Sequence, residues 1–299
     1  MRQNQISVVI NTCNEEKNIA RCLQSVKDFA DEIVVVDMHS TDKTVELAKK
    51  HNAKVFQHEY TRFVEPARNF ALEKASGDWI LLLDADEELP EILAKKLKEI
   101  AEKDEVDYVE IPRKNIIFSK WIEHSRWWPD YLIRFFRRGK VRFSDKIHVP
   151  PKTEGRGIKL EATEENALVH YNFQSIAQFI ERLNRYTDIQ SEELLKQNYK
   201  FKPEDVIFKS SGEFLSRFFK GEGYKDGLHG LVLSLLQAFS EFVVYLKVWE
   251  GQGFEQTGIS RFGQVAEKVI ADFYYWQANT SGSSLKKIYF KLKRKIGIT

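Results

Sequence analysis

Asp84 and Asp86 are the first residues whose types and spacing suggest chemistry. They end the stretch DWILLLDADEE at positions 78–88. The apolar run at 79–83 reads as a strand buried on both faces. A strand of that kind rarely ends in so many acids without a use for them. Two carboxylates one residue apart at a strand end can share a hard cation with the phosphates of a nucleotide. The plainer alternative is a solvated strand end running into an acidic first helical turn.

The elements that must position these acids alternate along the first 112 residues. ISVVI at 6–10 reads as a buried strand and ends in the polar cluster at 11–16. A helix follows, with Ile19, Cys22, Leu23 and Val26 at i, i+3, i+4 and i+7. IVVV at 33–36 is a second buried strand ending at Asp37. The cap formers MHSTDKT at 38–44 open a helix through Val45, Leu47 and Ala48. A short strand at 54–57 and a helix at 67–75 come next, the latter closed by Gly77. Pro90 suits the first turn of another helix, with Ile92, Leu93, Leu97 and Ile100 on one face. A further strand falls at 108–111. Strands and helices alternating over short connections imply an α/β fold, a mainly parallel sheet with helices on both faces. Ligands bind such sheets at the carboxyl ends of the strands. The clusters at 11–16, 37–42 and 84–88 all fall on that edge, which suits a nucleotide and a metal.

After Pro112 the pattern changes. Trp121, Trp127 and Trp128 lie close together, followed by Pro129, Asp130 and LIRFFRRGKVR at 132–142. Tryptophans of this kind usually pack a core, and three within eight residues beside charge also suit a sugar-binding floor. The arginines read either as a solvated strand or as a grip on phosphate. His148 lies between a basic strand and two prolines and outranks His170 as a candidate ligand.

From Gln174 the chain is mostly helical, with Phe179, Leu183 and Tyr186 on one apolar face. Residues 228–249 form the most apolar long segment, with Gly230, Ser234, Gln237 and Glu241 in one narrow stripe. Gln237 and Glu241 near its centre argue against a lone spanning helix. A helix in the membrane interface, or one buried in its own domain, fits better. The last helix carries Leu285, Ile288, Tyr289, Leu292 and Ile296 on one face. Lys286, Lys287, Lys291, Lys293, Arg294 and Lys295 surround it, the pattern of a basic membrane-surface helix. A solvated terminal helix is the simpler alternative. The 42% hydrophobic and 30% charged residues of the 299 exclude a disordered chain, and the net charge of +2 conceals that basic end. Aromatic cluster and basic tail are far apart, so nucleic acid is not expected as a partner. Two cysteines, Cys13 and Cys22, give no disulfide framework and point to a reducing compartment. The N-terminus has too short an apolar run for a signal peptide.

Four segments in order, SVVINTCNEEKNI, VVVDMHSTDKT, ARNFAL and WILLLDADE, make residues 6 to about 148 resemble a family 2 glycosyltransferase of the GT-A fold. The later WWPDYLIRFFRRGKVRF and GLHGLVLSLLQAF resemble the bacterial subgroup that builds lipopolysaccharide cores, which includes β-1,4-glucosyltransferases. The resemblance implies residues 1–172 as the transferase domain, with a nucleotide-binding half at 1–112 and an acceptor half at 113–172. Residues 173–299 would then form a helical, membrane-associating region. It implies a UDP-sugar donor, with Thr12 and Glu15 on the nucleoside, Asp37 on the uracil and Ser40 supporting that loop. Arg68 would lie near the donor sugar or diphosphate, and Asp84 would orient the ribose or a metal-bound water. Asp86 would hold Mg²⁺ or Mn²⁺, with His148 as a further ligand. One departure is visible: many relatives have Pro and Tyr where this chain has Asn11 and Cys13, so a Tyr cannot stack on the base.

The implied reaction is an inverting transfer in which a divalent ion offsets the charge of the leaving nucleoside diphosphate. A carboxylate base then serves the acceptor hydroxyl of a lipid-linked glycan. Asp130 is the candidate, since the tryptophans could stack a sugar beside it and Pro129 stiffens the approach. Glu123 is its rival, and a pairing with Arg134 or a turn cap is the structural alternative. The expected place is the cytoplasmic face of the inner membrane, at its inner-leaflet surface. A polyprenyl-phosphate glycosyltransferase and a non-catalytic membrane scaffold are the competing readings. A nucleotidyltransferase and a Rossmann dehydrogenase lack their glycine-rich loops here.

Overall fold

A computed structural model of the chain describes residues 4–61, 63–144 and 149–296. The chain forms two compact units. One holds residues up to Ile116 together with Trp128–Asn172, and the other holds Ile117–Trp127 together with the residues from Phe173 onward. The stretch 117–127, grouped by the sequence reading with the acceptor half, thus lies in the helical unit, and Trp121 and Trp127 go with it.

The first unit opens as β1 (Ile6–Thr12), α1 (Ile19–Val26), β2 (Glu32–Asp37), α2 (Thr44–Lys50), β3 (Lys54–Gln57), α3 (Glu65–Glu73) and β4 (Trp79–Asp84). The short β5 (Glu87–Glu88) and α4 (Glu91–Lys103) follow, then β6 (Tyr108–Ile117) and, after the short β7 (Lys120–Trp121) that belongs to the other unit, β8 (Asp130–Arg137). β9 (Val141–Arg142), β10 (Lys152–Thr153), β11 (Gly157–Lys159) and β12 (Leu168–Phe173) complete the strands. The sheet order is β3-β2-β1-β4-β8-β6-β12-β5. β1, β2, β3 and β4 are mutually parallel, as the alternation predicts. β8 runs antiparallel to β4, and β6 antiparallel to β8, so the sheet is mixed beyond β4. That reversal matters for the site, because β8 begins at the edge where β4 ends.

Burial follows the period-2 logic of a sheet covered on both faces. Val8, Ile10, Leu81 and Leu83 face one core with Ile19, Leu23, Leu93 and Leu97. Val9, Val34, Ile80 and Leu82 face the other with Ala71 and Phe136. In α4 the buried stripe is Leu93, Leu97 and Ala101, whereas Ile92 is 58% exposed, one position off the stripe.

At the amino ends of the parallel strands a single carboxylate ties four segments together. Glu32 accepts hydrogen bonds from Ser7 Oγ (2.6 Å), Lys54 Nζ (2.7 Å), Ser76 N (2.8 Å) and Ser76 Oγ (2.9 Å). Ser7 Oγ in turn accepts from Gly77 N at 2.9 Å, and a Cβ on Gly77 would sit 2.7 Å from Ser7 N.

The second unit contains α5 (Ile176–Lys196), α6 (Pro203–Leu215), α7 (Leu228–Gly251), α8 (Phe262–Thr280) and α9 (Ser284–Ile296). Ile117, Ile122, Phe179, Leu183 and Leu233 form its apolar cluster, with Trp127 packed against it. Trp127 meets Phe173 edge-on at 6.4 Å. Buried Asp226 anchors the 117–127 stretch through His124 N (2.9 Å) and His124 Nδ1 (3.2 Å). In α7 the small members of the stripe face inward. Gly230 and Ser234 of the small polar stripe are buried, while Leu228, Leu235 and Phe239 are exposed. A Cβ on Gly230 would collide with the Gly223 carbonyl, so the stripe marks a close backbone approach.

Glu32 yields a test of the sheet's anchoring. Burial would raise its pKa, but the bonds from Lys54, Ser7 and Ser76 outweigh it and bring the group from 4.5 to about 2. A depressed carboxylate contributes stability that is full above the unfolded pKa and is lost as pH falls through the folded one. Glu32→Gln should therefore lower stability at pH 7 by roughly 2–3 kcal/mol and flatten acid unfolding between the two values. Urea titrations of both proteins from pH 7 to pH 2 measure this, and parallel pH dependences would refute it.

Candidate active site

The carboxyl ends of β1, β2 and β4 bring Thr12, Asp37 and Asp84 into one row, because Thr12 pairs with Asp37 in register and Asn11 with Asp84. Asp37 is buried, and its two oxygens accept from Ser40 N (3.0 Å) and Ser40 Oγ (2.5 Å). Ser40 Oγ also accepts from Asn14 N at 2.8 Å, so the loops after β1 and β2 are locked together. Glu15 belongs to the same lock: its backbone N–H donates to Thr44 Oγ1 (2.8 Å), and its carboxylate accepts from Asn18 Nδ2 (2.7 Å). Thr12 Oγ1 and Asn11 Oδ1 are buried and have no hydrogen-bond partner among the described residues.

Asp84 sits among arginines. It accepts from Arg68 Nη2 at 3.1 Å and from Arg134 Nη2 in a close ion pair, with Arg113 Nη1 3.9 Å away. Burial would raise its pKa, yet Arg134, Arg68 and Arg113 together hold it well below the ordinary carboxylate range. The fully buried Glu87 takes Arg134 Nη2 (2.9 Å) and Arg113 Nη1 (3.1 Å). Its other oxygen accepts the Asp84 backbone N–H at 2.9 Å, which fixes the turn between β4 and β5. Arg134 is 1% exposed; burial alone would lower its pKa, and Asp84 and Glu87 reverse that and raise it. Of the two arginine readings, phosphate grip or solvated strand, Arg134 excludes the second for itself.

Two of these arginines keep unmatched donors. Arg68 Nε, Arg134 Nε and Arg134 Nη1 are buried without a hydrogen-bond partner among the described residues. Buried unpaired donors are costly, and an anion at this edge would satisfy them.

Asp130 starts β8 directly opposite Arg113 of β6. It pairs with Arg113 and not with Arg134. Arg113 Nε (2.9 Å), Arg113 Nη2 (2.6 Å) and Asn115 Nδ2 (3.2 Å) all donate to Oδ2 of Asp130. The side chain is 28% exposed. Glu123 lies in the helical unit, where its backbone N–H approaches Asp226 at 3.4 Å.

Asp86 is buried, and its Oδ1 faces His170 Nε2 at 3.5 Å. One carboxylate oxygen and one imidazole nitrogen at the strand edge are a donor set that fits Mn²⁺ or Mg²⁺ when phosphate oxygens complete the shell. Among the described residues no group of three or more His, Cys, Asp or Glu side chains could hold an ion unaided. His148 lies outside the described residues. His170, ranked below it from sequence, is the histidine beside Asp86. Sequence reasoning also passed over Arg113, Asn115 and Glu87. The long run of alternating residues from 108 onward was the available signal for the first two.

A row of acids at the carboxyl edge of the parallel strands, with unmatched arginine donors beside it, is an arrangement that suits a phosphorylated ligand. The family model of glycosyl transferase family 2 matches residues 7–155. An uncharacterized glycosyltransferase of Rickettsia typhi is 31% identical over 82% of this chain and 87% of its own length. The lipopolysaccharide core biosynthesis glycosyltransferase LpsC of Rhizobium meliloti is 27% identical over 82% of this chain and 92% of its own. Among solved structures, glucosyl-3-phosphoglycerate synthase from Mycobacterium tuberculosis with Mn²⁺, UDP and glucosyl-3-phosphoglycerate matches with 25% identity and a TM-score of 0.31. That match covers 36% of this chain, and the chain spans 43% of the synthase. The chain belongs to glycosyl transferase family 2 and is a glycosyltransferase.

The ion network makes a stability prediction. Arg134→Ala would leave Asp84 and Glu87 buried with too little positive charge, which should cost roughly 3–5 kcal/mol. Arg138→Ala, at an exposed position, should stay within about 0.5 kcal/mol of the parent. Urea unfolding compares the two, and equal effects would show that the network contributes nothing.

Proposed function

We propose that the chain moves glucose from UDP-glucose, with inversion, to a hydroxyl of a lipid-linked glycan such as the lipopolysaccharide inner core. The observation that carries the reading is the facing pair of Asp86 and His170 beside the unmatched donors of Arg68 and Arg134. LpsC, named for core biosynthesis, supports the acceptor class. Asp86 and His170 would hold a divalent ion, which offsets the charge of the leaving diphosphate when bound. Arg68 and Arg134 bind phosphate oxygens through their free N–H groups. Thr12, Glu15, Asp37 and Ser40 shape the nucleoside pocket, with the Thr12 hydroxyl left to bond the donor. Asp84 holds Arg68 and Arg134 in place rather than meeting ribose freely.

Asp130 serves as general base. Three donors fix one oxygen, which orients the other toward the acceptor hydroxyl and its proton. A hydroxyl acceptor needs such a base, whereas a polyprenyl phosphate does not. Asp130→Asn should keep the fold and UDP affinity while turnover of UDP-glucose with Mn²⁺ falls by roughly two to four orders of magnitude. Near-normal turnover, or a parallel loss of UDP binding in calorimetry, would reject the assignment.

The second unit is read as an attachment to the cytoplasmic face of the inner membrane. Leu285 is 80% exposed on α9, and Ile288, Tyr289 and Leu292 are exposed with it, among six basic residues from position 286 onward. α7 is long and apolar enough to cross a bilayer by length and composition, and its exposed Leu228, Leu235 and Phe239 suit contact with lipid. Each basic residue near an anionic surface contributes about 1 kcal/mol. Removing residues 285–299 should reduce sedimentation with anionic liposomes and leave hydrolysis of the soluble donor intact. Equal sedimentation at low salt would count against α9.

A further inference from the structure

Asn115 lies fully buried on β6, the strand between β8 and β12. Its amide connects the two halves of the site. Nδ2 donates to Asp130 Oδ2 at 3.2 Å, and Oδ1 lies 2.7 Å from His170 Nδ1. The chemistry of the partners settles the orientation. An ionised carboxylate only accepts, so the NH₂ end of Asn115 must face Asp130. Its carbonyl oxygen therefore faces His170, and an oxygen that only accepts requires the proton on Nδ1. In the neutral ring Nε2 is then left with a lone pair, aimed at Asp86 Oδ1. Lone pair and carboxylate repel each other unless a cation lies between them.

We propose that Asn115 is a positioning residue, which holds His170 in the Nδ1–H tautomer and Asp130 in its working orientation through the two ends of one amide. The proposal rests on the reading of Asp86 and His170 as ligands of a divalent ion. Without Asn115 the ring is free to carry its proton on Nε2. There it would donate to Asp86 and close the pair against a cation. The partner that orients a metal-binding histidine commonly controls affinity in this way.

The test uses the full chain. Mn²⁺ is titrated by calorimetry in the presence of saturating UDP into wild type, His170→Ala and Asn115→Ala. Both variants should lose roughly 10- to 100-fold in Mn²⁺ affinity. Wild-type affinity in His170→Ala would sink the metal reading and the proposal with it. A weakened His170→Ala beside a wild-type-like Asn115→Ala would leave the metal reading standing and overturn the positioning role alone. Nitrogen-15 NMR of the metal-free wild type, at a pH where the ring is neutral, reads the tautomer without any substitution. The His170 signals should report Nδ1–H, and an Nε2–H ring would overturn the proposal whether or not Asn115→Ala folds.

Discussion

The site depends on one charge-balanced cluster, in which Arg68, Arg113 and Arg134 face Asp84, Glu87 and Asp130. No member is dispensable on electrostatic grounds. A buried ion pair gains little over an apolar pair, but losing one partner strands the other in a poor solvent. The cluster also explains the change of strand direction beyond β4. Arg134 reaches Asp84 because β8 runs back along β4, and Arg113 reaches Asp130 because β6 runs back along β8. A wholly parallel sheet would deliver strand ends to this edge, whereas the reversal delivers the interior of β8 and β6.

The two edges of the sheet solve opposite problems. At the amino edge Glu32 collects Ser7, Lys54 and Ser76, so the strand beginnings are closed by the chain itself. At the carboxyl edge Thr12, Arg68 and Arg134 retain buried polar atoms that no described residue satisfies. A buried group left unpaired costs free energy, and a fold retains it where a ligand supplies the partner. The contrast within one sheet is a stronger argument for binding than either edge alone. The unmatched atoms lie at the edge where the Asp84–Asp86 pair also stands.

The parallel half of the fold was legible because its signals are local. Apolar runs, cap formers and turn residues mark β1 to β4, and the acids at 37, 84 and 86 follow directly from where those strands stop. The rest of the site is built from cross-strand pairs. Arg113 meets Asp130 across 17 residues, and Asn115 meets His170 across 55. Alternation along a strand tells which face a side chain takes, not which residue it will meet. That is why His170 looked like a lone histidine. Trp121 and Trp127 adjoin Trp128 in sequence but belong to the other compact unit, a division that no local pattern marks.

α7 shows the same limit in a helix. Gly230 and Ser234 fall in one narrow polar stripe, which leaves open a helix at a membrane interface or one buried in its own domain. They point inward, because small side chains permit the close approach to Gly223 that larger ones would block. Ser234 Oγ satisfies itself on the Gly230 carbonyl at 2.7 Å, so burying it carries little penalty. Leu228, Leu235 and Phe239 are then left on the outside. Hydropathy alone cannot orient such a helix, because small polar stripes serve both solvation and close packing. Residue size decides it: Gly and Ser are the residues that let backbones touch, and helices that meet lipid put them on their packed side.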